Sequence, residues 1–172
     1  NNVAVGALHA RKKHGLRRVA VIDFDVHHGN GTQAAFERDA DLFYASTHQF
    51  PLYPGTGSIH ERGVARNILN LPLAPGTNSD QFRLAIEQGV VPALEAFRPE
   101  FILISAGFDA HAADPLANLE LTTEDFGWAT ERLAAVAASV CGGRLVSTLE
   151  GGYDLDALAE SSAAHVRALM AA

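Results

Sequence analysis

The chain has 172 residues, 48% of them hydrophobic and 19% charged, which suits one domain with a sizeable core and excludes wholesale disorder. A formal net charge of −7, with all eight histidines neutral, argues against the broad basic face that nucleic acid needs but leaves a basic peptide open as substrate. The single cysteine, Cys141, cannot form an internal disulfide, which fits a reducing compartment such as the cytoplasm, and no apolar run reaches the ~18 residues of a membrane span.

The chain opens on Asn1-Asn2-Val3-Ala4, with no initiator Met and no signal peptide, and passes straight into a helical pattern, as the interior of a larger protein would. Over residues 2–14, Val3, Ala7, Leu8 and Ala10 share a broad face, and Gly15 stands at the expected stop. Val19 to Phe24 is a continuous apolar run ending in acid, the pattern of a strand buried on both faces. Residues 42–46, 101–105 and 144–149 repeat it. Helices are expected over about 79–97, 122–139 and 154–171, the second starting after Thr122 with Glu124 and Asp125 in its first turn, where the helix dipole favours negative charge. This alternation predicts an α/β domain over 1–172, an open, mostly parallel β-sheet with helices on both faces. No repeat, low-complexity tract or linker divides it.

Polar residues gather at the strand ends. The first strand runs into Asp23-Phe24-Asp25-Val26-His27-His28-Gly29-Asn30-Gly31, the third into Ala106-Gly107-Phe108-Asp109-Ala110-His111, and the fourth into Glu150-Gly151-Gly152-Tyr153-Asp154. Open parallel sheets bind ligands at these carboxyl ends. Asp25 and His27, two apart, point to the same side of an extended chain and can meet one metal, with Asp109 as a third ligand. Three protein ligands leave a position for water, as in catalytic zinc sites. There a metal polarises an amide carbonyl and acidifies water. Asp23 lies one step back on the same face, where it could orient a histidine. Tyr153, after two glycines, could donate to a developing oxyanion. Each element has a plainer reading: acids at strand ends cap helices, adjacent histidines such as His27 and His28 are commonly structural, and Gly-Gly-Tyr is a turn. The coincidence of three clusters at one rim favours the functional reading.

The run from Asp23 to Gln33 resembles the metal-binding signature of the histone deacetylase family. Tyr53-Pro54-Gly55-Thr56-Gly57, Ser105 to His111, Asp114-Pro115-Leu116 and Leu149 to Asp154 are similar to further family motifs in the family's order. Asn30 and Glu150 resemble the class II branch and its bacterial relatives. The resemblance implies the arginase–deacetylase fold and zinc (ferrous iron in cells as an alternative) on Asp25, His27 and Asp109, with Tyr153 polarising the acetyl carbonyl and Asp23 pairing with a catalytic histidine. It also implies a structural potassium ion held by Asp23, Asp25, His27, Ser46 and Thr47, and a substrate tunnel lined by Tyr53, Leu116 and Gly151. Polyamine-specialised relatives carry an acidic residue near the position of Leu116, so an apolar Leu116 favours acetyl-lysine or another uncharged stem.

The departure from the family is its tandem histidine pair, the general base and acid, which lies upstream of the segment that opens this chain. His9 and His14, in a predicted helix, are poor substitutes. The expectation is therefore a partial catalytic domain, its N-terminal part absent, from a protein about twice as long. A chain without the proton shuttle would lose ~10²–10⁴-fold in rate. The expected partner is an acetylated lysine or acetylated small amine, with neither nucleic acid nor membrane, and a homo-oligomer is compatible. Two alternatives stand: a manganese ureohydrolase of the arginase type, for which the ligands are too few, and a non-catalytic acyl-lysine binding module.

Overall fold

Val19–Asp23 forms β1, every residue of it buried, because apolar side chains on both faces find a helical layer to pack against. Val19 and Val21 join Val3, Ala7 and Phe36 in one core, while Ala20 and Ile22 join Phe82, Leu94, Phe126 and Leu133 in the other. The computed structural model describes residues 1–172. Its five strands are β1, β2 (Leu42–Gln49), β3 (Ile68–Leu73), β4 (Phe101–Ala106) and β5 (Leu145–Leu149), all parallel, in the order β3-β2-β1-β4-β5. On one face lie α1 (Asn2–His14) and α2 (Asn30–Phe36); on the other lie α3 (Ser79–Ala85), α4 (Val91–Phe97) and α5 (Thr123–Cys141), with α6 (Leu155–Met170) packed on α5. This is the open parallel sheet with two helical layers that the sequence predicts. No helix is long and apolar enough to cross a membrane.

The helix ends follow local chemistry. Asn1 Oδ1 accepts from the Ala4 N–H at 3.0 Å to start α1, and Gly15, at φ 68°, ends it. Asp125 Oδ2 accepts from the Thr122 N–H at 2.8 Å to box the start of α5. The expected helix over 79–97 is interrupted by a π-helical turn at Ile86–Val90. The Val91 N–H reaches back to the Ile86 carbonyl in this wider turn, and Pro92, which has no N–H to donate, follows in the first turn of α4.

Two elements have no counterpart in the sequence reading. The strand β3 carries Asn70 and Pro72, which break its apolar run; at a sheet edge the proline is tolerated, and Asn70 donates to Gln33 Oε1 at 2.8 Å. The seven-residue α2 begins in a glycine-rich stretch that reads as loop, and the burial of Thr32, Gln33 and Phe36 holds it.

The order of strands positions the site. The chain builds outward from β1 through β2 to β3, then returns to place β4 on the other side of β1. Connections leave β1 and β4 in opposite directions, opening a crevice between their carboxyl ends, where α/β sheets bind ligands.

Candidate metal centre

Beyond β1 the backbone bends at Asp25, Val26 and His27 instead of running on extended, and the side chains of Asp25 and His27 still converge. His27 Nδ1 stands 3.1 Å from Asp25 Oδ1 and 3.0 Å from Asp109 Oδ2, and one ligand atom from each residue lies within 4.8 Å of the others. Backbone amides fix the carboxylates. Asp25 accepts from the His27 N–H (2.8 Å) on Oδ1 and from the Gly151 N–H (2.9 Å) on Oδ2. Asp109 accepts from the Val26 N–H at 2.9 Å on Oδ1.

Asp109 Oδ2 is the telling atom. Asp109 is fully buried, and this oxygen has no hydrogen bond of acceptable geometry despite the nearby imidazole. Buried carboxylate oxygens are costly to leave unmatched, so the donor set suits a cation. The titration behaviour agrees. The close approach of the Asp109 carboxylate, and then of Asp25, pushes His27 up to about 10 against the effect of burial, and burial pushes Asp109 up as well. The cluster thus stabilises positive charge at its centre.

Gly151 lies against both carboxylates. A Cβ there would come within 2.7 Å of Asp109 Cγ and of Asp25 Oδ2, so only glycine lets the backbone approach. Tyr153 follows, 54% exposed. Partial burial and the charges of Asp109 and Asp25 push its phenol above the usual value, which keeps it a hydrogen-bond donor.

Asp23 is buried beneath the cluster, accepting from the Asp25 N–H at 3.1 Å and from the Tyr44 hydroxyl at 2.9 Å. Burial, then the charge of Asp25, raises its carboxyl well above the usual range. Ser46 pairs in register with Asp23, and Thr47 follows with a buried hydroxyl that has no partner. Tyr53 stands beside His27, ring centroids 6.5 Å apart, and Leu116 is half exposed on the loop after β4. A cleft of about 330 Å³ opens beside Asp23, Asp25 and His27; Ser105, Glu150 and Asn1 are among its walls, and no hydrophobic residue lines it.

Sequence reasoning missed the support beneath this rim. His28 Nδ1 pairs with Thr56 Oγ1 at 2.7 Å and its Nε2 with Gln33 Oε1 at 3.0 Å. His48, with its ring centroid 4.8 Å from that of His28, pairs with Ser46 Oγ at 2.9 Å and donates from Nε2 to the Gly57 carbonyl at 3.0 Å. Burial lowers both, His48 to about 4, so they are neutral, and together they tie the Tyr53 loop to the segment of Asp25 and His27. Two histidines 20 residues apart carry no signal of pairing in the sequence.

The comparisons agree with this architecture. The histone deacetylase domain model matches residues 1–169. The chain is 51% identical over 172 residues to histone deacetylase 10, chloroplastic, of Oryza sativa subsp. japonica, covering 98% of this chain and 39% of that protein. It is 46% identical over 157 residues to the histone deacetylase-like amidohydrolase of Pseudomonas aeruginosa, covering 88% of this chain and 41% of that one. Among solved structures, the HDA15 HD domain superposes with a TM-score of 0.92 at 37% identity, over 99% of this chain and 49% of that one. The chain therefore spans less than half the length of these relatives, and over nearly all of its own length it belongs to the histone deacetylase family.

Proposed function

We propose that the chain carries the metal-binding part of a zinc-dependent deacetylase that hydrolyses the acetamide of acetyl-lysine, or of a related acetylated small amine, to acetate and free amine. The observation that carries this reading is the buried, unpaired Asp109 Oδ2 converging with Asp25 and His27 beside a phenol kept protonated. Zinc on these three ligands, or ferrous iron in cells, supplies Lewis-acid polarisation of the acetyl carbonyl and lowers the pKa of the attacking water. Tyr153 donates its phenolic proton in a hydrogen bond to the oxyanion as the carbonyl carbon becomes tetrahedral. Tyr53 and Leu116 flank the acylated stem. Asp23 borders a cleft that no hydrophobic residue lines and, in the full-length protein, would orient the upstream histidine that moves protons between water and leaving amine. Asp23, Asp25, His27, Ser46 and Thr47 would hold a structural potassium ion, which would stiffen the segment beneath. Three ligands make one metal site, which supports this chemistry over a two-manganese ureohydrolase. The lone, buried Cys141 fits a reducing compartment, the cytoplasm included.

The test is the zinc content of the purified chain beside its Asp109→Asn variant. About one zinc per chain, lost in the variant, is expected. Full occupancy in a folded variant overturns the ligand set. Zinc in place with acetyl-lysine peptide bound, and no turnover even in the full-length protein, turns the reading to a non-catalytic acyl-lysine module.

A further inference from the structure

Besides Asp23, a second carboxylate on this rim stands outside the candidate metal cluster and is nevertheless buried: Asp114, on the loop between β4 and α5. Its partners are three backbone amides. Oδ1 accepts from the Leu116 N–H at 3.0 Å, within its own loop. Oδ2 reaches across to the loop after β5 and accepts from the Tyr153 N–H at 2.7 Å and the Asp154 N–H at 3.3 Å. A buried carboxylate is costly unless its oxygens are matched, and these matches join the tyrosine's loop to the loop of Leu116.

The Tyr153 loop needs such an anchor. Two glycines precede the tyrosine, so the backbone has wide conformational freedom there. Gly151 is tied to the cluster through Asp25, and the Phe108 N–H donates to its carbonyl at 2.8 Å. Gly152 is the next residue, at φ 144°. The side chain of Tyr153 is more than half exposed, so packing alone does not place the phenol. Its position is therefore set by the backbone, and the backbone is held at Tyr153 and Asp154 by Asp114. Asp154 then caps α6, its Oδ1 accepting from the Ala157 N–H at 2.9 Å.

We propose that Asp114 is a positioning residue: one buried carboxylate sets where the Tyr153 phenol stands relative to the metal cluster and holds Leu116 in fixed relation to it. This rests on Tyr153 being the oxyanion donor. Asp114 touches no reacting atom and acts through the amides it accepts from.

Asp114→Asn replaces one acceptor oxygen by an amide that cannot accept from the facing N–H groups. In the metal-free chain, hydrogen exchange at the Tyr153 and Asp154 amides is expected to rise about tenfold or more in this variant, with core strands unchanged. In the zinc-loaded chain, calorimetric binding of acetohydroxamate provides the second readout. Asp114→Asn and Tyr153→Phe are each expected to weaken binding about tenfold, and the double variant also about tenfold rather than a hundredfold, with zinc content unchanged throughout. If the Asn variant does not fold, Asp114→Ser keeps one acceptor without the buried charge and serves in its place. Unchanged exchange overturns the proposal, as does an equal loss in the Tyr153 and Tyr153→Phe backgrounds. If Tyr153→Phe by itself binds like wild type, the oxyanion reading fails; faster exchange in the Asp114 variant would then leave only a loop anchor, which also overturns the positioning role.

Discussion

Gly151→Ala is the sharpest perturbation of the metal centre that leaves every ligand in place. The new methyl carbon would overlap Asp109 Oδ2 and come within 2.7 Å of Asp25 Oδ2. Asp109 cannot yield, because it is fully buried and its other oxygen is held by the Val26 N–H at 2.9 Å. The loop must back away by about 1 Å to restore ordinary contact. That stretches the 2.9 Å bond from the Gly151 N–H to Asp25 and the 2.8 Å bond from the Phe108 N–H to the Gly151 carbonyl. The first is charge-assisted and the second neutral, so about 3 kcal/mol of stabilisation is at stake. Loss of support behind a ligand typically weakens metal binding about 10–100-fold. Tyr153, two residues on, moves with the loop, and a displacement of about 1 Å is worth about 10²-fold in turnover. Zinc affinity by competition with a chromophoric chelator, with urea denaturation in parallel, measures both effects. A folded alanine variant with wild-type zinc affinity would refute the argument that the backbone must approach the carboxylates here.

Two further predictions follow from single residues. Tyr153→Phe is expected to leave zinc content unchanged and to cut turnover by the full-length protein about 10²–10³-fold, the usual worth of one oxyanion donor; undiminished turnover removes the phenol from the mechanism. His165 is buried on α6 between Thr130 Oγ1 at 2.6 Å and Ser147 Oγ at 2.8 Å, and burial lowers it to about 4. A histidine depressed in the folded state binds its proton more readily unfolded. Its contribution is therefore whole above the unfolded value near 6.5 and is lost as pH falls from there towards about 4, amounting to about 3 kcal/mol. Urea denaturation across that window is expected to show the loss in wild type and a shallower one in His165→Gln, and equal slopes would dismiss His165 as its source.

Much of this protein is written locally. The runs of β1, β2 and β4 announce themselves because a strand buried on both faces needs apolar residues throughout; β5 forms where its run predicts, but as an edge strand with Val146 and Leu149 exposed it is not buried on both faces as the sequence suggests. Gly15 and the box of Thr122 with Asp125 mark helix ends because caps involve residues within one turn. Asp25 and His27 are legible as a pair because two residues of spacing is itself a geometry. The strand β3 was not legible, since Asn70 and Pro72 make sense only at an edge beside Gln33. Only the tertiary structure set β4 beside β1, and with it brought Asp109 to Val26 across 83 residues of sequence. The same assembly decided that Asp109 Oδ2 is left unpaired, that Gly151 lies against two carboxylates, that the His28 and His48 rings meet, and that Asp114 grips the loop of Tyr153. Each is a contact between segments that no periodicity relates. Parallel strands meet through long crossovers, so which carboxyl ends share a rim is settled by packing the whole sheet.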